Sequence, residues 1–337
     1  MRLPPRWVRR PVQFGAVAGA TYAALASPWP LALVGVGAVS SALPGRWRAV
    51  RLAAFGVVGV LAEAAGLIAW LGLSVRYAGR LRSDRSQLAH LAVLRVLLHA
   101  LVTAARLLFG LQLRTDDVSW SPLDDGVPGS TNAMLVLSRH AGPGDSLLLV
   151  HTLLDRDHLR RPRVVLKDAL ALDPVVDAYL SRVPSAFVRP GDGPEVVGAL
   201  AEGLGEEDAL LIFPEGGNVT PERRVRALSS LRRQGLAARA DRAERLRHLL
   251  PPRPGGVVAA LAAAPHADVV LVAHTGLEHL DSVRDVWHGL PLDTELLLRW
   301  WFVPAAEVPR DPAEQVDWLD ERWAELDAWV ATHEPRG

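Results

Sequence analysis

The sequence predicts an α/β domain behind an N-terminal membrane-embedded helical hairpin. Three observations carry this. Two long apolar runs, residues 12–43 and 52–75, lie near the N-terminus, and Glu63 is the single charge within them. From Asn132 onward, short apolar runs recur at 133–137, 163–166, 186–188, 209–213, 268–273 and 296–303. Helical segments lie between most of them, which is the alternation expected of an α/β sheet. Several runs also end beside a His, Lys, Arg or Glu, next to Gly or Pro. Strand ends of this kind are where such sheets deliver ligand-binding groups.

The chain of 337 residues is long enough for one large domain with appendages. Half of its residues are hydrophobic and its formal net charge is zero, so no global field draws nucleic acid. The absence of cysteine removes disulfides, thiolate nucleophiles and Cys-ligated zinc.

Residues 11–45 carry no charge, and about 20 apolar residues suffice to cross a bilayer as a helix. A cleaved secretory signal is not expected, because the run is too long and a second one follows. Arginines flank both runs. Arg2, Arg6, Arg9 and Arg10 precede the first, Arg46, Arg48 and Arg51 lie between, and Arg76, Arg80, Arg82 and Arg85 follow the second. If both runs span, the N-terminus and the remainder share the arginine-rich side, which the positive-inside rule places in the cytoplasm of a cell-membrane protein. Pro28-Trp29-Pro30 breaks the first run, so re-entry is an alternative to spanning. Gly56, Gly59 and Gly66 would let the second helix pack closely on a neighbour. Residues 86–113 read as an apolar helix interrupted by Arg95, His99 and Arg106, suited to lying against headgroups or covering the α/β domain. Residues 115–131 read as a loop. Near the C-terminus, residues 312–332 form an amphipathic helix on Val316, Leu319, Trp323, Leu326 and Val330, with Asp311 and Glu314 as a capping box.

Four stretches carry the chemistry. The first apolar strand stops at His140, a Gly142-Pro143-Gly144 turn follows, and Asp145 opens the next run. An imidazole takes a proton near neutral pH, and a neighbouring carboxylate fixes its tautomer and stabilises the imidazolium. Lys167 ends the second strand, Arg189 follows Phe187-Val188, and Glu215 follows Phe213-Pro214 ahead of Gly216-Gly217. At one crevice the His would activate a hydroxyl and the cations bind a phosphate. The Glu would hold a polar substrate group or the turn itself. Residues 221–250 carry nine arginines against three acids, suited to phosphates of coenzyme A or of anionic lipid, or simply a solvated face. The glycines at 191, 193 and 198 lack the spacing and strand context of a dinucleotide fingerprint, and the histidines lack zinc-protease spacing.

In these blocks the chain resembles the glycerolipid acyltransferases of the PlsC type, which act on 1-acylglycerol-3-phosphate. His-x4-Asp matches His140 and Asp145. A strand ending in Arg matches Phe187 and Arg189, Phe-Pro-Glu-Gly matches residues 213–216, and a later apolar strand matches 269–273. Thr275-Gly276-Leu277-Glu278 and Trp287-His288-Gly289-Leu290-Pro291 resemble the longer, eukaryotic-type branch that includes lysocardiolipin acyltransferase-like enzymes. Two positions depart from the family. Arg139 replaces the usual Asn, and Glu-Gly-Thr-Arg becomes Glu215-Gly216-Gly217-Asn218, with Arg223 and Arg224 arriving later. The lost Arg implies a different headgroup or replacement by Arg223.

The resemblance implies a glycerolipid acyltransferase domain, a mixed sheet flanked by helices, over residues 114–310. Around it lie a membrane anchor over 1–85, an interfacial helix over 86–113 and a C-terminal amphipathic helix over 311–337. It implies His140 as general base oriented by Asp145, with Lys167, Arg189, Glu215, Gly216 and Arg223 binding substrate. Acyl-CoA or acyl carrier protein is the expected co-substrate and a lysophospholipid the acceptor, in contact with membrane lipids, with no metal, no other cofactor and no nucleic acid. Alternatives are another lysophospholipid or glycolipid acceptor, a membrane-bound lipid hydrolase, or an inactive scaffold.

Overall fold

The computed structural model describes residues 4–26, 32, 35, 47–116, 132–142, 144–154, 160–188, 193–276, 278, 283–292 and 295–333; for 167–169 and 283 it describes the backbone alone. Most of the loop expected over 115–131, and the first apolar segment beyond residue 26 apart from 32 and 35, lie outside the described residues.

Seven strands are described: β1 (Gln112–Thr115), β2 (Met134–Ser138), β3 (Arg161–Lys167), β4 (Ser185–Val188), β5 (Asp208–Ile212), β6 (Asp268–Thr275) and β7 (Glu295–Val303). They form one mixed sheet in the order β1-β7-β6-β2-β5-β3-β4. β2 to β6 run parallel to one another, β7 is antiparallel to β6, and β1 is parallel to β7. The mixed sheet flanked by helices is the expected class. Strand β1 corrects one detail, because the sequence predicts helix through 113 and a loop from 115. It is a four-residue edge strand, too short to show a period of its own.

The strands read as continuous apolar runs because both faces are covered. Successive side chains alternate between faces. Leu135 and Leu137 of β2 join a core with helices α6 (Glu195–Ala201), α9 (Pro254–Ala263) and α11 (Pro312–His333). Met134 and Val136 face the other way, against α3 (Asp84–Phe109) and α4 (Asp145–Leu153). Trp318, Leu319, Trp323, Leu326 and Val330 are the buried stripe of α11, close to the predicted one. Asp311 caps it by accepting the amides of Ala313 and Glu314, at 2.9 and 3.1 Å.

On the N-terminal side, α1 (Arg6–Ala26) and α2 (Arg48–Arg76) precede α3. Among the described residues two helices, α2 and α3, are long and apolar enough to cross a membrane by length and composition. They differ in packing. Leu91 and Leu98 of α3 are buried against the sheet, whereas Ile68 and Val75 of α2 are 70% and 79% exposed. Of the three glycines expected at a helix contact, only Gly66 makes one. A Cβ there would lie 2.8 Å from Val175 and 2.9 Å from Leu97, while at Gly56 and Gly59 it would meet nothing within 4 Å among the described residues. Val175 belongs to α5 (Pro174–Leu180), whose Tyr179 hydroxyl donates to the Gly66 carbonyl at 2.9 Å.

Candidate active site

β2 lies between β6 and β5, so the turns leaving their carboxyl ends are neighbours. The turn after β2 presents His140, and Gly144, at φ 95°, takes the left-handed conformation that starts α4 at Asp145. The two side chains meet: His140 Nδ1 lies 2.6 Å from Asp145 Oδ2. The same oxygen accepts the amides of Ala141 and Gly142, at 3.1 and 3.4 Å, and Oδ1 accepts that of Ser146 at 2.6 Å. Burial by itself would raise the Asp145 pKa. The His140 hydrogen bond, with the charge that imidazole carries when protonated, outweighs it and holds the carboxyl below its ordinary range. With Nδ1 engaged, Nε2 is the nitrogen left to exchange a proton. The Phe213 ring flanks the imidazole at 5.1 Å between centroids.

Glu215 is 2% exposed, and both its oxygens are taken by the backbone. Oε1 accepts the amide of His140 at 3.1 Å, and Oε2 that of Leu250 at 3.0 Å. Burial pushes its pKa up to about 8, against the lowering influence of the Arg139 charge. Gly216, at φ 71°, donates to the Phe213 carbonyl at 3.1 Å and closes the turn. The side-chain-free face of Gly217 is covered by Arg223: a Cβ there would lie 2.5 Å from its Nη1. That guanidinium also donates to the Asn218 carbonyl at 3.0 Å.

The other predicted positions are placed less fully. Lys167 ends β3, two strands from β2, with its backbone alone described. Arg189 lies outside the described residues, one position beyond β4.

Three residues near the dyad carry no site role in the sequence reading. Arg139 is 1% exposed; its Nη1 donates to the His274 carbonyl at 2.7 Å and to Glu278 Oε1 at 2.9 Å. His274, on β6, lies with Nε2 4.0 Å from Asp145 Oδ2. Burial, then the Arg139 charge, pushes its pKa down to about 4, so it is neutral at pH 7. Asp327 of α11 accepts the amides of Arg247, His248 and Leu249 at 2.7–3.0 Å, fixing the segment whose next amide meets Glu215. Their partners lie tens of residues away, and only the departure of Arg139 from the family pattern drew notice in the sequence. No cluster of three or more metal-ligating side chains lies among the described residues.

Chemically, a buried carboxylate against one imidazole nitrogen leaves the other as a base able to hold a proton, with the resulting charge compensated. No curated protein matches the chain. Among solved structures, the chain is similar to the 1-acyl-sn-glycerophosphate (LPA) acyltransferase PlsC from Thermotoga maritima, at 12% identity and TM-score 0.49, covering 82% of this chain and 100% of that one. The turn of the His–Asp pair, the Glu215 turn and β6 all fall within residues 125–275, which match the family model described as Acyltransferase.

Proposed function

We propose that the protein is a membrane-bound acyltransferase of the glycerolipid type. It transfers a fatty acyl group from acyl-CoA or acyl carrier protein to the free hydroxyl of a lysophospholipid, 1-acyl-sn-glycerol-3-phosphate first among them. The 2.6 Å His140–Asp145 pair, inside the stretch that matches the acyltransferase model, carries this reading. His140 Nε2 takes the acceptor's hydroxyl proton as the oxygen attacks the thioester carbonyl. The carbon–sulfur bond breaks, and the leaving thiolate takes the proton back from the imidazolium. Asp145 stays ionised throughout, so no acyl-enzyme is needed.

Lys167 and Arg189 are assigned to the acceptor phosphate, and Glu215 and Gly216 shape that side of the crevice. Arg223 stands in for the arginine missing from the third block; its guanidinium against Gly217 supports this. The apolar helix α2, on which large side chains such as Ile68 and Val75 are exposed, supports a membrane anchor. We assign the catalytic domain to the cytoplasmic side on the arginine distribution.

Membranes containing the protein, given labelled acyl-CoA and a panel of lysolipids, should yield diacyl product. His140→Ala should lower turnover by about 10²–10⁴-fold with normal accumulation in membranes. Asp145→Asn should lower kcat with little change in acceptor KM. Retention of half the wild-type rate by His140→Ala, or release of free fatty acid without an acceptor, would remove the transfer reading. Arg189→Ala should raise the KM for lysophosphatidic acid by about ten- to a hundredfold and leave that for an uncharged monoacylglycerol unchanged. Equal losses on both acceptors would free Arg189 from the phosphate role.

A further inference from the structure

Behind the Glu215–Gly216 turn lies a cavity of about 560 Å³, within the range of small-molecule sites. Its wall is one face of α7 (Pro221–Arg233), on which Arg223, Arg226, Ser230 and Arg233 recur three and four residues apart. Arg253 closes the opposite side, against the turn. A Cβ on Gly216 would lie 3.2 Å from its guanidinium carbon, so the glycine pair leaves room for two arginines at the lip.

The charge around this cavity is one-sided. Arg239 is neutralised by Asp320, at 2.7 Å to each oxygen. Arg226, Arg233 and Arg253 form no salt bridge among the described residues. The lining acid is Glu215, whose oxygens are both engaged by backbone amides. Arginines gathered on a concave wall whose lining carboxyl is held by backbone amides favour an anion that accepts several hydrogen bonds at once.

We infer that this cavity binds a ligand bearing two or more phosphate groups, the nucleotide end of a coenzyme A thioester. The inference rests on the acyl-transfer reading and narrows its donor. A cavity of this size takes a nucleotide, whereas a folded carrier protein would dock outside it. The donor's charged end would then sit beside the turn that holds the His140 amide, with its thioester reaching the imidazole.

The test uses the full chain in uncharged detergent and adenosine 3′,5′-bisphosphate as probe, by titration calorimetry. Wild type should bind it, with affinity falling as salt rises. Arg226→Ala/Arg233→Ala should weaken binding at least tenfold and raise the KM for acyl-CoA more than that for the lysolipid. Arg232→Ala removes a charge from the same helix outside the cavity and should stay within twofold. Arg253→Ala should weaken binding as the double variant does. No binding by wild type, equal loss in Arg232→Ala, or arginine-dependent binding only to phosphatidylglycerol vesicles would overturn the assignment. Binding with the expected dependence but no acyl transfer by wild type would leave the phosphate site standing and sink the enzymatic reading alone.

Discussion

Arg139 and His274 bring contacts that are distant in sequence to the His140–Asp145 pair. Arg139 reaches Glu278, and His274 nears Asp145 across the β2–β6 pairing. Together they surround the dyad with one buried cation and one neutral imidazole. The folded pKa of His274, about 4, lies below its ordinary 6.5. Its stabilisation is therefore full above pH 6.5 and is lost as pH falls toward 4. Glu215 has the opposite sign: its contribution is full below 4.5 and is lost as pH rises through about 8. We expect His274→Gln to flatten the fall in melting temperature between pH 6.5 and 4 while leaving the alkaline side unchanged. Parallel wild-type and variant curves, measured in detergent, would show that His274 does not titrate in this way. His140 and Asp145 are legible in sequence because five positions on one turn separate them, whereas Arg139 and His274 are not, because their partners are distant.

At the scale of elements, the apolar runs located six of the seven described strands, since strands covered on both faces are uniformly hydrophobic. Strand β1 escaped because four residues at an edge carry little pattern. Helix α11 shows a second limit. Its apolar stripe was readable, but Asp327, which looks like an ordinary surface charge, holds three amides beside the site. Glycine spacing in α2 was readable as a capacity for close packing, and the fold uses it once. Gly66→Ala should overpack Val175 and Leu97 and cost about 1–3 kcal/mol. Gly59→Ala, facing open space, should be neutral or stabilising by up to about 1 kcal/mol. Thermal unfolding of the two variants compares them directly; equal melting temperatures would mean that the α2–α5 contact does not limit stability.

Over the whole molecule, the apolar N-terminal segment and the sheet domain are joined by charge as well as by packing. Asp177 of α5 is fully buried and meets three arginines of α1: Arg6 at 3.2 Å, Arg9 at 2.5 Å and Arg10 at 2.8 Å. Arg10 and Arg182 also lie over the Trp70 ring, at 5.2 and 5.1 Å. Burial would raise the Asp177 pKa, but the hydrogen bond and charges of the arginines hold it below the ordinary range. Its contribution is therefore present at neutral pH and is lost in acid. The arginines that read in the sequence as topology signals thus also fasten the start of α1 to the sheet domain, putting both on one side of any bilayer that the apolar segments enter. Removing the carboxylate leaves like charges facing one another, and breaking a buried pair from one side typically costs about 3–5 kcal/mol. Arg6 is half exposed, so its share is smaller. We expect Asp177→Ala to lower the melting temperature and to speed tryptic cleavage at Arg6 and Arg9 at least tenfold, with Asp177→Asn intermediate. Unchanged cleavage at these sites would mean that α1 is held by its other contacts, among them Gln13 Nε2 to the Leu172 carbonyl at 2.7 Å, and the arginines would revert to a purely topological role.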